Sequence, residues 1–175
     1  RSTKTVFVIY QGVLVPQPFF TIQSIVDPDD LSLDNEALVV ISRLLSQVTG
    51  QETTVSYEVV QNVVDDGFFL LAVSHDLTII GMASALIVHT MGQDYLRLAD
   101  LVVDESYRGQ GVGRALIDEV KKHANPRDYQ FVEAVVPVSQ SAANRLLERQ
   151  GFTLMSWASP EHGEEGLRYY RLMLA

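Results

Sequence analysis

Three glycines stand at alternate positions in Arg108-Gly109-Gln110-Gly111-Val112-Gly113, between a short apolar run and a segment of helical period. Missing Cβ atoms let such a turn take dihedrals that other residues avoid, and let a ligand approach the main chain. Ahead of it, Leu101-Val102-Val103 suits a buried strand and Asp104-Glu105-Ser106-Tyr107 a polar exit from it. Behind it, Val112, Leu116 and Val120 recur every fourth residue, so the spacing predicts a helix that begins inside the glycine segment and runs to about Ala124. The first N–H groups of that helix have no partner within it. Together with the positive end of the helix dipole they can bind a phosphate.

Three other glycine-rich loops fit the segment less well: the P-loop is excluded, the dinucleotide fingerprint is weak and the kinase loop fails. A P-loop requires Lys and then Ser or Thr after its last glycine, and here Gly113 is followed by Arg114-Ala115. A dinucleotide fingerprint requires a glycine at position 114, which is Arg, and an acidic residue ending a second strand, which is missing at the expected distance. A protein-kinase loop links two strands and needs partner motifs that the chain lacks.

What remains resembles the pyrophosphate loop of the GNAT superfamily of acetyl-CoA-dependent N-acetyltransferases. That loop has the form Gln/Arg-x-x-Gly-x-Gly/Ala, and residues 108–113 fit every defined position. The segment Ala142-Ala143-Asn144-Arg145-Leu146-Leu147-Glu148-Arg149-Gln150-Gly151-Phe152 is similar to the family's helix that closes on a Gly-Phe pair. The resemblance covers roughly residues 19–174, with the diagnostic letters between about 98 and 152. It implies acetyl-CoA as co-substrate. The backbone of Leu101, Val102 and Val103 would pair with the pantetheine arm. Arg108, Gly109, Gln110, Gly111, Val112 and Gly113 would hold the pyrophosphate, with charge added by Arg114. Asn144, one turn after Gln140, would reach either the pantetheine amides or solvent. Lys121 and Lys122 offer further charge or simply the wet face of their helix.

Acyl transfer to nitrogen needs an unprotonated amine beside the thioester carbonyl. At pH 7 an alkyl amine of pKa about 10.4 is neutral in only about one molecule in 2,500, so a base or a water chain must take its proton. Asp100, just before the valine-rich strand, and Glu133, on the following strand, are the candidates. A shift of one residue in register would send either carboxylate to the other sheet face, and a solvated or sheet-edge carboxylate is the alternative reading of both. The chain departs from the family where many members carry a Tyr four residues before the Gly-Phe pair: that position is Leu147. The Asn common seven residues earlier corresponds to Gln140. Water, another hydroxyl such as Tyr169, Tyr170 or Ser139, or no efficient turnover at all are the open outcomes. Pro137, after Val135-Val136, lacks a backbone donor, which predicts either an ordinary strand end or a point where neighbouring strands part and admit the pantetheine arm.

The elements that must position these residues follow from periodicity. Strands are expected at Phe19–Ile25, Phe68–Val73, Thr78–Val88, Leu96–Val103, Phe131–Val136, Phe152–Ala158 and Leu167–Leu174, with a hairpin around Ser74-His75-Asp76. Besides the helix after the glycines, helices are expected at Asp34–Val48 and Ser139–Arg149. Another at Thr53–Val64 competes with a run of β-branched valines. The order predicts an α+β domain with a mixed, mainly antiparallel central sheet flanked by helices on both faces. Asp27-Pro28-Asp29-Asp30 is expected as a turn and residues 159–166 as an exposed loop, whose Glu161, Glu164 and Glu165 would either rim an amine site or stay solvated. Residues 1–18 read as an N-terminal extension or an extra strand, and 19–175 as a single domain.

At 175 residues and 47% hydrophobic content, one folded domain is expected. The chain has no cysteine, which excludes disulfides and a thiol nucleophile and fits a reducing, cytoplasmic setting. His75, His89, His123 and His162 share no metal-ligand spacing, so no metal is expected. The apolar stretch from Thr5 to Phe20 is broken by Gln11, Gly12, Pro16 and Pro18 and lacks a cleavage site, which argues against a signal peptide. With no run of about 18 apolar residues, no membrane-crossing helix is expected. A net charge of −9 disfavours nucleic acid and would attract a protonated amine. The partners expected are therefore acetyl-CoA, or a longer acyl-CoA, and a primary amine: a small molecule first, a protein amine second. A homodimer is a further expectation.

Overall fold

The computed structural model describes residues 5–10, 13–26, 35–158 and 166–174. The turn expected at 27–30 and residues 159–165 of the expected acidic loop lie outside the described residues. In chain order the strands are β1 (Thr5–Tyr10), β2 (Val13–Pro18), β3 (Phe20–Ile25), β4 (Gly67–Ser74), β5 (Ile79–Val88), β6 (Tyr95–Val103), β7 (Phe131–Pro137), β8 (Thr153–Ala158) and β9 (Leu167–Met173). The helices are α1 (Asn35–Thr49), α2 (Tyr57–Asp65), α3 (Val112–His123) and α4 (Ser141–Arg149). Strands β1 and β2 pair antiparallel as a separate ribbon, and the other seven form one sheet in the order β3-β4-β5-β6-β7-β9-β8. Within residues 1–18, expected as an extension or an extra strand, the β-prone runs on either side of Gln11-Gly12 are each long enough to pair.

Helical periodicity outweighs β-propensity in α2. Ser56 caps it by accepting from the Val59 N–H at 3.4 Å, Val60 is buried, and Val63 and Val64 pack on the same core. The sheet is covered on both faces. Helices α3 and α4 close one core with Leu96, Leu98, Val132, Ala134 and Tyr170, while α1 and α2 close the other with Phe69, Leu71, Met82 and Val102.

Every neighbouring pair in the seven-stranded sheet is antiparallel except β6 with β7, which run parallel through three register pairs only: Leu96↔Val132, Arg97↔Glu133 and Leu98↔Ala134. Beyond them β6 continues to Val103 beside β5, and β7 to Pro137 beside β9. The parting coincides with a bulge. Ser84 faces Asp100 and Ala85 faces Leu98, which leaves Ala99 as an extra residue on β6. Its cause is thus the bulge at Ala99; Pro137 lies three residues past the last shared pair and does not mark where the strands separate.

The bulge also changes which residues face which core. Before it, Leu96 and Leu98 point to the α3 side; after it, Leu101 and Val103 do, and Val102 joins the α1 side. Asp100 is thereby placed on the α1 side, as is Glu133. A regular strand would have put the two carboxylates on opposite faces.

Candidate functional site

The end of β6 is fixed before the glycine turn begins. Asp104 is buried; its N–H donates to Ile80 O at 2.9 Å and its Oδ1 accepts from the Ser106 N–H at 2.9 Å. Arg43 of α1 reaches its Oδ2 at 2.8 Å. Burial pulls this carboxyl upward, but the Ser106 amide and the Arg43 guanidinium outweigh it and hold its pKa below the usual carboxylate value.

The three glycines do two different things. Gly109 and Gly111 have φ of 73° and 91°, in the left-handed region that side chains disfavour, and Gly111 is the residue from which α3 starts. Gly113 is needed for space: a Cβ there would come within 3.0 Å of Leu146 Cδ2 on α4. The first α3 bond runs from Ala115 N–H to Gly111 O at 3.0 Å, so the amides of Val112, Gly113 and Arg114 precede the first intrahelical donor. Arg108 folds back, its Nε donating to Val103 O at 3.1 Å.

These amides open on a cleft of about 1270 Å³. Leu101, Val102 and Val103 form one wall, and the turn and the start of α3 form the floor. The opposite wall is the approach to α4, Ser139 to Ala143, with Arg145, Leu146 and Arg149. The strand edge that β7 abandons at Ala99 therefore borders the cleft. Its size and its unpaired main-chain groups suit an extended ligand with a phosphate group.

Most of the residues expected to hold the coenzyme meet here: Leu101, Val102, Val103, Arg108, Gly109, Gly111, Val112, Gly113 and Arg114 all line the cleft. Gln110 does not. Its amide donates to Ser106 O at 3.1 Å, and its Oε1 is buried without a hydrogen-bond partner among the described residues. Asn144 does not either, which corrects both readings of it. It is 2% exposed, its Nδ2 donates to Pro137 O (2.9 Å) and Gln140 O (2.8 Å), and its Oδ1 accepts from Tyr170 at 2.9 Å. With both amide hydrogens engaged, it locks the start of α4 to the end of β7 and has no hydrogen left for a ligand.

Sequence reasoning missed Arg145 and Arg149, whose four-residue spacing on a helix was the available signal. Lys121 borders the cleft too, but its Nζ donates to Gln150 O at 2.7 Å and to Gln150 Oε1 at 3.0 Å, tying α3 to the C-terminal end of α4. Lys122 pairs with Glu119 at 2.7 Å.

On the other face of the sheet, Asp100 accepts from Ser84 Oγ at 2.5 Å. Glu133 is buried between two arginines: Arg97 reaches Oε1 at 2.8 Å and Arg171 reaches Oε2 at 3.5 Å. Leu147 is 1% exposed and sits in the α3-side core, with no hydroxyl to offer. Of the hydroxyls considered in its place, Ser139 borders the cleft, whereas Tyr170 is fully buried against Asn144 and Glu148. Burial pushes the Tyr170 hydroxyl above its ordinary pKa, against an opposing pull from Arg168. Among the described residues there is no cluster of three or more His, Asp or Glu able to hold a metal ion, and no helix long and apolar enough to cross a membrane.

The family model for the acetyltransferase (GNAT) family matches residues 40–152, nearly two thirds of the chain and all of the cleft-forming turn. The chain belongs to the GNAT acetyltransferase family. A curated relative, the uncharacterized N-acetyltransferase YhbS of Escherichia coli K12, is 33% identical over 108 residues, which span 59% of this chain and 61% of that protein. Solved structures share the fold. The NatC complex bound to Gag peptide and CoA superposes with a TM-score of 0.70 at 19% identity, over 89% of this chain and 99% of the other. The acetyltransferase yncA of Salmonella typhimurium, with acetyl-CoA, gives 0.68 at 18% identity, over 90% and 95%. The α+β expectation and the resemblance drawn from residues 98–152 thus agree with the family and with the fold.

Proposed function

We propose that this GNAT protein transfers an acetyl group from acetyl-CoA directly to a primary amine. The observation that carries the reading is the parting of β6 and β7 at Ala99, which leaves the strand edge from Leu101 to Val103 without a neighbouring strand along a cleft that ends at the amides of the glycine turn, with Val103 O held by Arg108. An extended pantetheine arm can take the place of the missing strand, and a diphosphate can accept from the amides of residues 112–114. Arg114, Arg145 and Arg149 add positive charge along the same walls. When bound, acetyl-CoA supplies a thioester carbonyl open to attack by nitrogen.

The chain's own contribution is placement and proton handling. Asp100 lies just past the bulge, with Ser84 Oγ as the one donor to its carboxylate among the described residues; it is the group we assign to accept the amine proton, directly or through water. Glu133 is held by two cations and serves to position them. Protonation of the departing thiolate falls to water or to Ser139, since Leu147 has no proton to give. Leu147 is also the observation that favours a second reading, an acyl-CoA-binding module without turnover.

The two readings separate in one experiment. Thiol release from acetyl-CoA is followed across a panel of small amines and peptide N-termini, with coenzyme binding measured by calorimetry. Turnover on any amine supports the transferase; tight binding with no turnover on any of them supports the module; no heat on mixing removes both.

A further inference from the structure

Resting on the acetyl-transfer reading, we propose that the acceptor is an amine that also carries a carboxylate, recognised by Arg97 and Arg171. Most of the cleft lies on the α3 and α4 side of the sheet, with Gln47 and Val48 of α1 at its border, and it follows β6 from the glycine turn along positions 101–103, while β6 and β7 are last paired at Leu98↔Ala134, which we take as the apex. If the coenzyme fills that side, the amine must come to the apex from the other face. The first cross-strand pair met there is Arg97↔Glu133, one residue from the apex, about 3.3 Å along the strand.

The register extends this pair into a row across three strands, Arg97 on β6, Glu133 on β7 and Arg171 on β9. The row has two positive groups and one negative. Glu133 is buried, while the side chains of Arg97 and Arg171 remain 47% and 40% exposed, so the surplus positive charge is the part that faces outward. The arginines are also braced. Arg97 donates to Tyr95 OH at 3.1 Å, Tyr95 stacks on Phe131 at 4.6 Å, and the Arg171 guanidinium lies 4.2 Å above the Phe131 ring. A guanidinium has five N–H donors, and among the described residues the contacts to Glu133 and Tyr95 leave donors on both arginines for a second carboxylate. Asp100 shares this face, so one end of the site is acidic and the other basic, which is the complement of a zwitterion.

This local charge runs against the net charge of −9, which by itself would favour a simple cation. A fixed pair of arginines within one residue of the apex acts at shorter range than the surface field, and so governs what binds.

The test compares amines that differ only in the carboxylate: β-alanine against propylamine, and a dipeptide with a single amine against its methyl ester. The wild type and Arg97→Gln, Arg171→Gln and Arg97→Lys variants are used. Each single variant keeps one arginine on Glu133, and thermal denaturation confirms that it folds. We expect kcat/KM for the carboxylate-bearing amine to exceed that of its partner by about tenfold or more, with the gain in KM, and each Gln variant to remove most of that gain, with a smaller loss on the neutral amine. Arg97→Lys should restore part of it. Equal kcat/KM for both members of each pair, or an equal loss on both in the Gln variants, would overturn the proposal. Calorimetry with the same amines keeps the two readings apart. Carboxylate-dependent binding lost in the Gln variants, without turnover on any amine, would sink the transferase and leave the anion site standing. Turnover without preference would do the reverse.

Discussion

The hydroxyl of Tyr170 meets Asn144 Oδ1 at 2.9 Å in the interior of the protein, joining the last strand of the sheet to the helix that walls the cleft. Removing the hydroxyl strands Asn144 Oδ1 without a donor. Tyr170→Phe should therefore cost about 1–3 kcal/mol in denaturant unfolding. Because Asn144 also holds Pro137 O and Gln140 O, affinity for acetyl-CoA should fall with it, as calorimetry would register.

Glycines 111 and 113 should fail in different ways. Gly111→Ala has open space around the new Cβ but must hold φ near 91°, a strain of about 1–2 kcal/mol that relaxes by turning the amides away from the phosphate site. Gly113→Ala has an ordinary φ and meets Leu146 Cδ2 at 3.0 Å, so it should push α4 away from the start of α3. Coenzyme titrations should show weakened binding for both. Adding Leu146→Ala should rescue only the second.

Asp104 predicts the acid limb of the stability profile. Its folded pKa lies below that of the unfolded chain, so its contribution is fully present above about pH 4 and is lost as pH falls through the lowered value. Asp104→Asn should be less stable than wild type at pH 7, and the gap should close below pH 4. Urea midpoints measured from pH 7 to pH 3 would show the two curves converging.

The two carboxylates on the α1 face should separate by role. Asp100→Asn is expected to lower kcat by about a hundredfold or more, with acetyl-CoA affinity unchanged. Glu133→Gln leaves Arg97 and Arg171 with a neutral partner, and should change thermal stability and the acceptor KM more than kcat. Steady-state kinetics beside calorimetry and melting curves would distinguish them.

Leu147→Tyr tests whether the missing hydroxyl alone sets the rate. Leu147 is packed in the α3-side core, so a phenol there must displace neighbours, and a loss of about 1–3 kcal/mol in unfolding is expected. A rate increase despite that loss would show that thiolate protonation had been limiting.

The sequence by itself determined what depends on neighbours along the chain. The glycine spacing, the helix that starts at Val112 and the strand before it were all legible, because backbone freedom and helical period are local properties. Tertiary structure alone decided what depends on register and packing. Nothing in the letters around Ala99 marks it as the extra residue of a bulge, yet that residue opens the strands and turns Asp100 to the face of Glu133. Likewise, Asn144 looked like a ligand-binding amide until Tyr170, Pro137 and Gln140 closed around it. Glu133 looked like a free base until two strands brought an arginine to each of its oxygens. In each case the partner is distant in the chain or set by a one-residue shift. A side chain's chemistry is fixed by its type, but its availability is fixed by what the fold packs against it.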